Sequence, residues 1–261
     1  MSNNHQHRNQ RLPKFVRWIL IWLHVVSGLM VLSVIFPFAN QDQKNKHIQK
    51  WSTKLLSIFD IKLSIKNSEI IPTSPFLLAS NHISWIDIHA INAFMPIRFV
   101  AKSEVERWPI FGWMAKQLGT VFINRHNPRQ ARQVASDVSR VLNTQSVCIF
   151  PEGTSTDGDI VLPFKPNLFE SAIISDVPVY SLAISYKSSN TGLKSKSAAF
   201  IGDMGLLQSM SNILDDSNLV VELSFLPPSD AVPHSPRDRK WLSLNSHEAI
   251  SNEIKAQFTM M

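Results

Sequence analysis

A histidine and an aspartate five residues apart form the most informative polar pair in this chain of 261 residues. His82 and Asp87 follow the apolar run 76–79, which is typical of a short buried strand. On a continuous helix the two side chains would point about 140° apart. Ser84, three residues before Asp87, predicts a helix cap, so that His82 precedes the helix and Asp87 folds back toward its ring. A carboxylate bound to one imidazole nitrogen prepares the other nitrogen to accept a proton.

Such a pair is suited to general-base catalysis, in which His82 deprotonates a hydroxyl group of the substrate. A hydrolase with Ser84 or Ser155 as nucleophile is an alternative, but the Gly-x-Ser-x-Gly elbow of many hydrolases is absent from the sequence. A capped helix beside a surface histidine is the purely structural alternative. The pair therefore indicates chemistry on a substrate hydroxyl, provided that other site residues lie nearby.

Two more polar clusters each follow a predicted strand. In segment 119–125, a strand would deliver Arg125 at its C-terminal end, where a guanidinium can bind a phosphate through two hydrogen bonds. In segment 150–155, Pro151 and Gly153 predict a constrained turn that presents Glu152. A surface arginine and a simple turn are the structural alternatives.

Short apolar runs alternate with amphipathic segments from residue 61 onward, which predicts an α/β domain with a mostly parallel sheet flanked by helices. Parallel strands collect functional residues at their C-terminal ends, where the three clusters lie. The predicted strands are 61–65, 76–79, 98–101, 120–123, 147–150, 179–185, 198–201 and 219–225. The predicted helices are 104–118, 129–143 and 167–175, with a weak helix near the C-terminus.

The N-terminal part of the chain predicts a membrane-anchoring helix. Residues 18–39 contain no Asp, Glu, Lys or Arg, and 22 helical residues span roughly 33 Å, enough for a bilayer core of about 30 Å. The run exceeds the core of a signal peptide and has no small-residue cleavage site. Basic residues flank both ends, so a re-entrant helix satisfies the positive-inside rule better than one crossing.

The expected organisation has five parts. They are a basic tail (1–14), a transmembrane or re-entrant anchor helix (15–39), an amphipathic interfacial helix (40–60), a catalytic domain (61–228) and a polar C-terminal tail (229–261). The net charge of +6 and the pI near 9.5 indicate an anionic partner. An anionic membrane surface explains this charge better than nucleic acid, for which the sequence has no basic-aromatic motif. The single cysteine, Cys148, excludes an internal disulfide and a thiolate metal cluster, and we expect no metal.

Together, the clusters resemble the glycerolipid acyltransferase family, whose bacterial representatives are the PlsC-type 1-acylglycerol-3-phosphate acyltransferases. Residues 81–87 match an Asn-His-x-x-x-x-Asp motif, and residues 119–125 match Gly-x-x-Phe-Ile-x-Arg. Residues 150–154 match Phe-Pro-Glu-Gly-Thr, and Val-Pro-Val at 177–179 resembles a fourth block. Residues 101–104 also resemble the stretch between the first two blocks. The resemblance covers residues 75–185 in the order of the family.

The resemblance implies that His82 is the catalytic base and Asp87 its orienting partner. It also implies that seven residues contact the substrates: Asn81, Lys102, Gly119, Arg125, Glu152, Gly153 and Thr154. The expected reaction moves an acyl chain from acyl-CoA or acyl carrier protein to a lysolipid hydroxyl, most typically converting 1-acyl-glycerol-3-phosphate to phosphatidic acid in phospholipid biosynthesis. No cofactor beyond this co-substrate is implied. The expected location is the cytoplasmic side of a bacterial-type inner membrane.

The sequence departs from the family pattern near the third block. Ser155 replaces an arginine that often follows Gly-Thr, and Asn167 replaces a glycine after Phe-Lys-x. The Asp-Gly turn at 157–158 resembles members that act on lyso-ornithine lipid. The alternatives are therefore an acyltransferase for another lysolipid, such as lyso-ornithine lipid, and a catalytically silent lipid-binding relative.

Overall fold

A seven-stranded sheet lies at the centre of the protein. The computed structural model describes residues 12–123, 128–216, 218–229 and 238–259. Within these ranges the sheet order is β1-β7-β6-β2-β5-β3-β4; β6 and β7 pair antiparallel, and the other pairings are parallel. The prediction of a mostly parallel sheet is confirmed. The strands are β1 (Lys62–Lys66), β2 (Leu77–Ser80), β3 (Arg98–Lys102), β4 (Val121–Ile123), β5 (Val147–Ile149), β6 (Val179–Ser188) and β7 (Leu219–Leu226).

Helices cover both faces of this sheet. They are α1 (Lys14–Met30), α2 (Gln41–Phe59), α3 (Ile86–Phe94), α4 (Ser103–Glu106), α5 (Phe111–Gln117), α6 (Pro128–Leu142), α7 (Glu170–Ile174), α8 (Leu206–Asp215) and α9 (Arg239–Thr259). A π-helical segment, Val31–Ile35, continues α1, and 3₁₀ turns cover Ser68–Ile70 and Pro166–Phe169. The predicted helix flanks are therefore confirmed.

The sheet is buried on both faces, as parallel sheets usually are. Leu77 and Leu78 of β2 are both fully buried, but they belong to separate apolar cores because successive side chains of a strand point to opposite faces. Leu78 lies in the core that includes Phe59 of α2, and Leu77 lies in the core that includes Leu142 of α6. The C-terminal helix α9 contributes Ile250 to this second core.

Both ends of the apolar N-terminal helix are fixed to the domain. Near its start, the buried Arg17 donates hydrogen bonds to the carbonyls of Ile58 (2.8 Å) and Leu214 (3.2 Å). Beyond its end, Leu32 and Phe36 pack with Met114 of α5. The segment Lys14–Ile35 is long and apolar enough to cross a membrane. Its outward face exposes a row of large apolar side chains: Phe15, Ile19, Trp22, Leu23, Val26, Met30 and Val34.

Three predicted elements differ in the structure. The predicted strand at 198–201 is wrong: this segment is irregular, and the Phe200 amide donates to the Ile83 carbonyl (2.9 Å) in place of a strand partner. The predicted helix 104–118 is split into α4 and α5 around Pro109, which is followed by Ile110 at a left-handed φ of 66°. The predicted helix 167–175 begins as a 3₁₀ turn at Pro166.

Candidate active site

The parallel strands bring the predicted site residues to one edge of the sheet. Strands β2, β5, β3 and β4 are neighbours and run parallel, so their C-terminal ends share an edge. His82 follows β2, Glu152 follows β5, and Lys102 ends β3. Lys102 is exposed. Arg125, predicted after β4, lies outside the described residues.

The predicted His–Asp pair is formed in the structure. His82 Nδ1 lies 2.8 Å from Asp87 Oδ2, and the residues from His82 to Trp85 are not helical, because α3 begins at Ile86. This change from non-helical chain to helix was predicted, although the helix cap is only partly as expected. The Ser84 amide donates to Asp87 Oδ2 (2.9 Å), but its hydroxyl accepts a long bond from the Ile86 amide (3.4 Å) and α3 starts later than a cap at Ser84 predicts. The first turn of α3 thus aims Asp87 at the histidine.

Asp87 is fully buried and is held by several donors. Oδ2 accepts from His82 and from the amides of Ile83 (2.8 Å) and Ser84 (2.9 Å), whereas Oδ1 accepts from the Tyr186 hydroxyl (2.6 Å). A buried carboxylate is stable only where such donors replace its water. Asp87 is therefore a fixed acceptor for the imidazole.

The His82 ring has one bound nitrogen and one nitrogen left for a substrate. With Nδ1 donating to Asp87, Nε2 carries the lone pair that can accept a proton. The ring stacks on Phe150, with centroids 4.0 Å apart and planes at 18°. The side chain remains 21% exposed. The arrangement supports proton transfer to and from a bound hydroxyl.

Glu152 connects the loops that follow β2 and β5. Oε1 accepts from the His82 amide (2.7 Å), Oε2 accepts from the Leu162 amide (2.8 Å), and the residue is 3% exposed. Burial raises the pKa of Glu152 to about 7, and the two amide hydrogen bonds partly oppose this shift. Next to it, Gly153 adopts a φ of 76°, while Thr154 is exposed. Glu152 therefore holds the His82 backbone; a substrate contact for these three residues stays a prediction.

Asn81 and Gly119 have structural neighbours that account for their residue types. The buried Asn81 side chain accepts from the Ile184 amide (2.7 Å) and donates to the Ile184 carbonyl (2.9 Å), as another strand residue would. Gly119 has a φ of 74°, and a Cβ there would lie 1.6 Å from Arg98 Nη1. Substrate contacts at both positions stay predictions.

Comparison with known proteins identifies the chain. A family model described as Acyltransferase matches residues 62–185. The lyso-ornithine lipid O-acyltransferase of Rhizobium meliloti is 35% identical over 245 residues, covering 85% of this chain and 82% of the relative. The chain belongs to the acyltransferase family. The 1-acyl-sn-glycerol-3-phosphate acyltransferase of Neisseria meningitidis is 32% identical, covering 75% of this chain and 76% of that relative.

A solved structure shares the fold of this acyltransferase. The crystal structure of the 1-acyl-sn-glycerophosphate acyltransferase PlsC from Thermotoga maritima aligns with a TM-score of 0.62 at 19% identity. The alignment covers 93% of this chain and 96% of that one. The mixed sheet with its flanking helices is therefore an arrangement that also occurs in PlsC.

Sequence patterns did not reveal every contact at the candidate site. Phe150 lies inside a recognised motif, but its stacking on His82 depends on strand order. Tyr186 lies 99 residues from Asp87, and nothing local in the sequence connects the two. The Thr156 amide, which donates to the His82 carbonyl (2.9 Å), was also missed. Phe150 directly follows β5, but Tyr186 lies within β6 and Thr156 lies in the loop after β5, so no shared sequence signal marks these residues.

Proposed function

We propose that this acyltransferase moves an acyl chain from a thioester donor to the free hydroxyl of a lysolipid, with His82 as general base. The observation that carries the proposal is the His82–Asp87 pair at 2.8 Å, at a strand end of an acyltransferase domain. His82 Nε2 takes the hydroxyl proton while the hydroxyl oxygen attacks the thioester carbonyl. Asp87 stabilises the imidazolium, which returns the proton to the leaving thiolate. General-base catalysis of this kind contributes about 10²–10⁴ in rate.

The donor is acyl-CoA or acyl carrier protein in this proposal, and the leading acceptor is 1-acyl-glycerol-3-phosphate. The names of both relatives support acylation of a lysolipid. One observation favours lyso-ornithine lipid as a second candidate. Where many family members have a cation after Gly-Thr, this chain has Ser155, whose hydroxyl donates to the Phe200 carbonyl. A phosphate would have one fewer positive partner there, so the acceptor must be identified by assay.

The lipid substrate and the apolar helix support membrane association, and we propose that α1 lies within one leaflet on the cytoplasmic side. Both ends of the helical segment contact the same domain, through Arg17 and through Phe36. A straight crossing would carry one end away from that domain. Exposed lysines on α2, namely Lys46, Lys50 and Lys54, would face the anionic headgroups.

The test is an acceptor panel assayed with the purified full-length protein in lipid micelles. Two labelled donors, acyl-CoA and acyl carrier protein loaded with an acyl chain, are each offered with 1-acyl-glycerol-3-phosphate, lyso-ornithine lipid and other lysolipids. We expect His82→Ala to lose about 10²-fold or more in kcat, and His47→Ala on α2 serves as the matched control. Undiminished transfer by His82→Ala would contradict the mechanism. Lipid binding without turnover for any acceptor would instead indicate a catalytically silent relative, although the intact His82–Asp87 pair argues against that outcome.

A further inference from the structure

Tyr186 contacts the carboxylate oxygen that His82 leaves free. Its hydroxyl donates to Asp87 Oδ1 at 2.6 Å, and its side chain is 1% exposed. Burial raises the pKa of Tyr186 well above its ordinary value, and the adjacent Asp87 charge raises it further, so the hydroxyl remains a donor. The family-model match ends at residue 185, one position before this tyrosine.

The length of β6 places Tyr186 at the site. Strand β2 ends at Ser80, whereas its neighbour β6 continues to Ser188. Asn81 extends the pairing by binding both backbone groups of Ile184. Tyr186 lies two residues further along β6 and therefore points to the same face as Ile184. Pairing with Val221 of β7 supports the backbone there.

The division of bonds between the two Asp87 oxygens gives Tyr186 a distinct role. His82 and the amides of Ile83 and Ser84 all bond to Oδ2, and Tyr186 bonds to Oδ1. The terminal torsion of an aspartate has a broad energy minimum, so its hydrogen-bond partners set the orientation of the carboxylate. Tyr186 holds the Oδ1 side of the carboxylate, opposite the three donors at Oδ2.

We propose that Tyr186 is a positioning residue that acts through Asp87: its hydroxyl fixes the carboxylate so that Oδ2 stays aligned with His82 Nδ1. The role of the tyrosine in acyl transfer rests on the proposed function. Tyr186 touches no reacting atom in this scheme. It acts on the rate by keeping the imidazole oriented, and it contributes nothing to lipid affinity.

A double-mutant cycle tests this inference. Tyr186→Phe, Asp87→Asn and the double variant are compared with the wild type for kcat, KM and melting temperature. We expect Tyr186→Phe to lower kcat by about 10- to 100-fold with KM unchanged, because it loses one hydrogen bond to a charged group. In the Asp87→Asn background the same change is expected to alter kcat by less than about twofold. Tyr180→Phe is the matched control, since Tyr180 lies on β6 about 20 Å away.

The outcomes distinguish a failure of the Tyr186 inference from a failure of the proposed function. A kcat within about twofold of wild type for Tyr186→Phe, or equal losses in both backgrounds, would overturn the inference. If Tyr186→Phe is poorly folded, the double variant decides. A loss of melting temperature in the double variant that is smaller than the sum of the two single losses supports action through the Asp87 carboxylate, and additive losses refute it. The melting cycle needs no substrate, so it tests the Tyr186–Asp87 coupling even if acyl transfer is absent.

Discussion

Replacement of Glu152 by glutamine should loosen the backbone of His82. In the wild type, one carboxylate oxygen accepts from the His82 amide (2.7 Å) and the other accepts from the Leu162 amide (2.8 Å). A carboxamide has only one oxygen, so its NH₂ group must face one of these two N–H donors. Glu152 is 3% exposed, and water cannot replace the lost acceptor. The substitution therefore leaves one backbone amide buried without a partner.

The difference in unfolding free energy between the wild type and Glu152→Gln decreases as pH rises. An unsatisfied buried donor costs about 1–3 kcal/mol of unfolding free energy. The pKa of Glu152 is raised from 4.5 to about 7 by burial. Between these values the folded protein binds more protons than the unfolded chain, so this group lowers the unfolding free energy as pH rises, by on the order of 3 kcal/mol in total. Glu152→Gln lacks this contribution.

Denaturant unfolding from pH 4.5 to 8 and steady-state kinetics measure both effects. Subtracting the Glu152→Gln profile from that of the wild type should give a difference that declines with pH through this window and becomes flat above it. We expect kcat to fall by about 10- to 100-fold, since small misplacement of a catalytic group is costly. Glu69→Gln, at an exposed position, is the control. A pH-independent difference together with an unchanged kcat would refute the assigned role of Glu152.

Two further predictions concern glycine geometry and thiol burial. Gly119→Ala should lower the unfolding free energy by about 1–3 kcal/mol, because Gly119 has a φ of 74° and a Cβ would lie 1.6 Å from Arg98 Nη1. Gly205→Ala, where a Cβ meets nothing within 4 Å, should cost less than about 1 kcal/mol in the same denaturant titration, because alanine is only a poorer N-cap residue for α8 than glycine. Cys148 is fully buried, and burial raises its pKa, so a maleimide should label it only after unfolding. Rapid labelling of the native protein would contradict the packing around β5.

The sequence predicted the fold class and the central His–Asp pair because both depend on local patterns. Apolar runs located the strands, and the five-residue spacing of His82 and Asp87 required that a helix begin between the two residues. The predicted strand at 198–201 was wrong because an apolar run of four residues does not reveal its hydrogen-bond partner. The Phe200 amide donates to the Ile83 carbonyl in the loop after β2, and this pairing depends on the tertiary structure rather than on the local sequence.

The roles of Glu152 and Asn81 could not be derived from the sequence for the same reason. A motif predicts that such side chains lie near a site, but it does not say whether they face a substrate or the protein backbone. Glu152 bonds to an amide 70 residues earlier, and Asn81 to a residue 103 positions later. Tyr186 was missed because it lies on β6, whereas its partner Asp87 lies on α3, 99 residues earlier in the sequence.

The late position of β6 has a consequence for protein synthesis. Tyr186 and the Asn81 partner Ile184 both belong to this strand, which the ribosome delivers about a hundred residues after the histidine. A nascent chain that has exposed only the first three motifs can bind membrane through its apolar helix, yet it lacks the strand that aligns the carboxylate. A ribosome stalled before residue 186 should therefore display a chain without acyl transfer activity, because β6 lies between β2 and β7 in the sheet and β1 pairs with β7. Activity should appear only once both β6 and β7 have emerged from the exit tunnel.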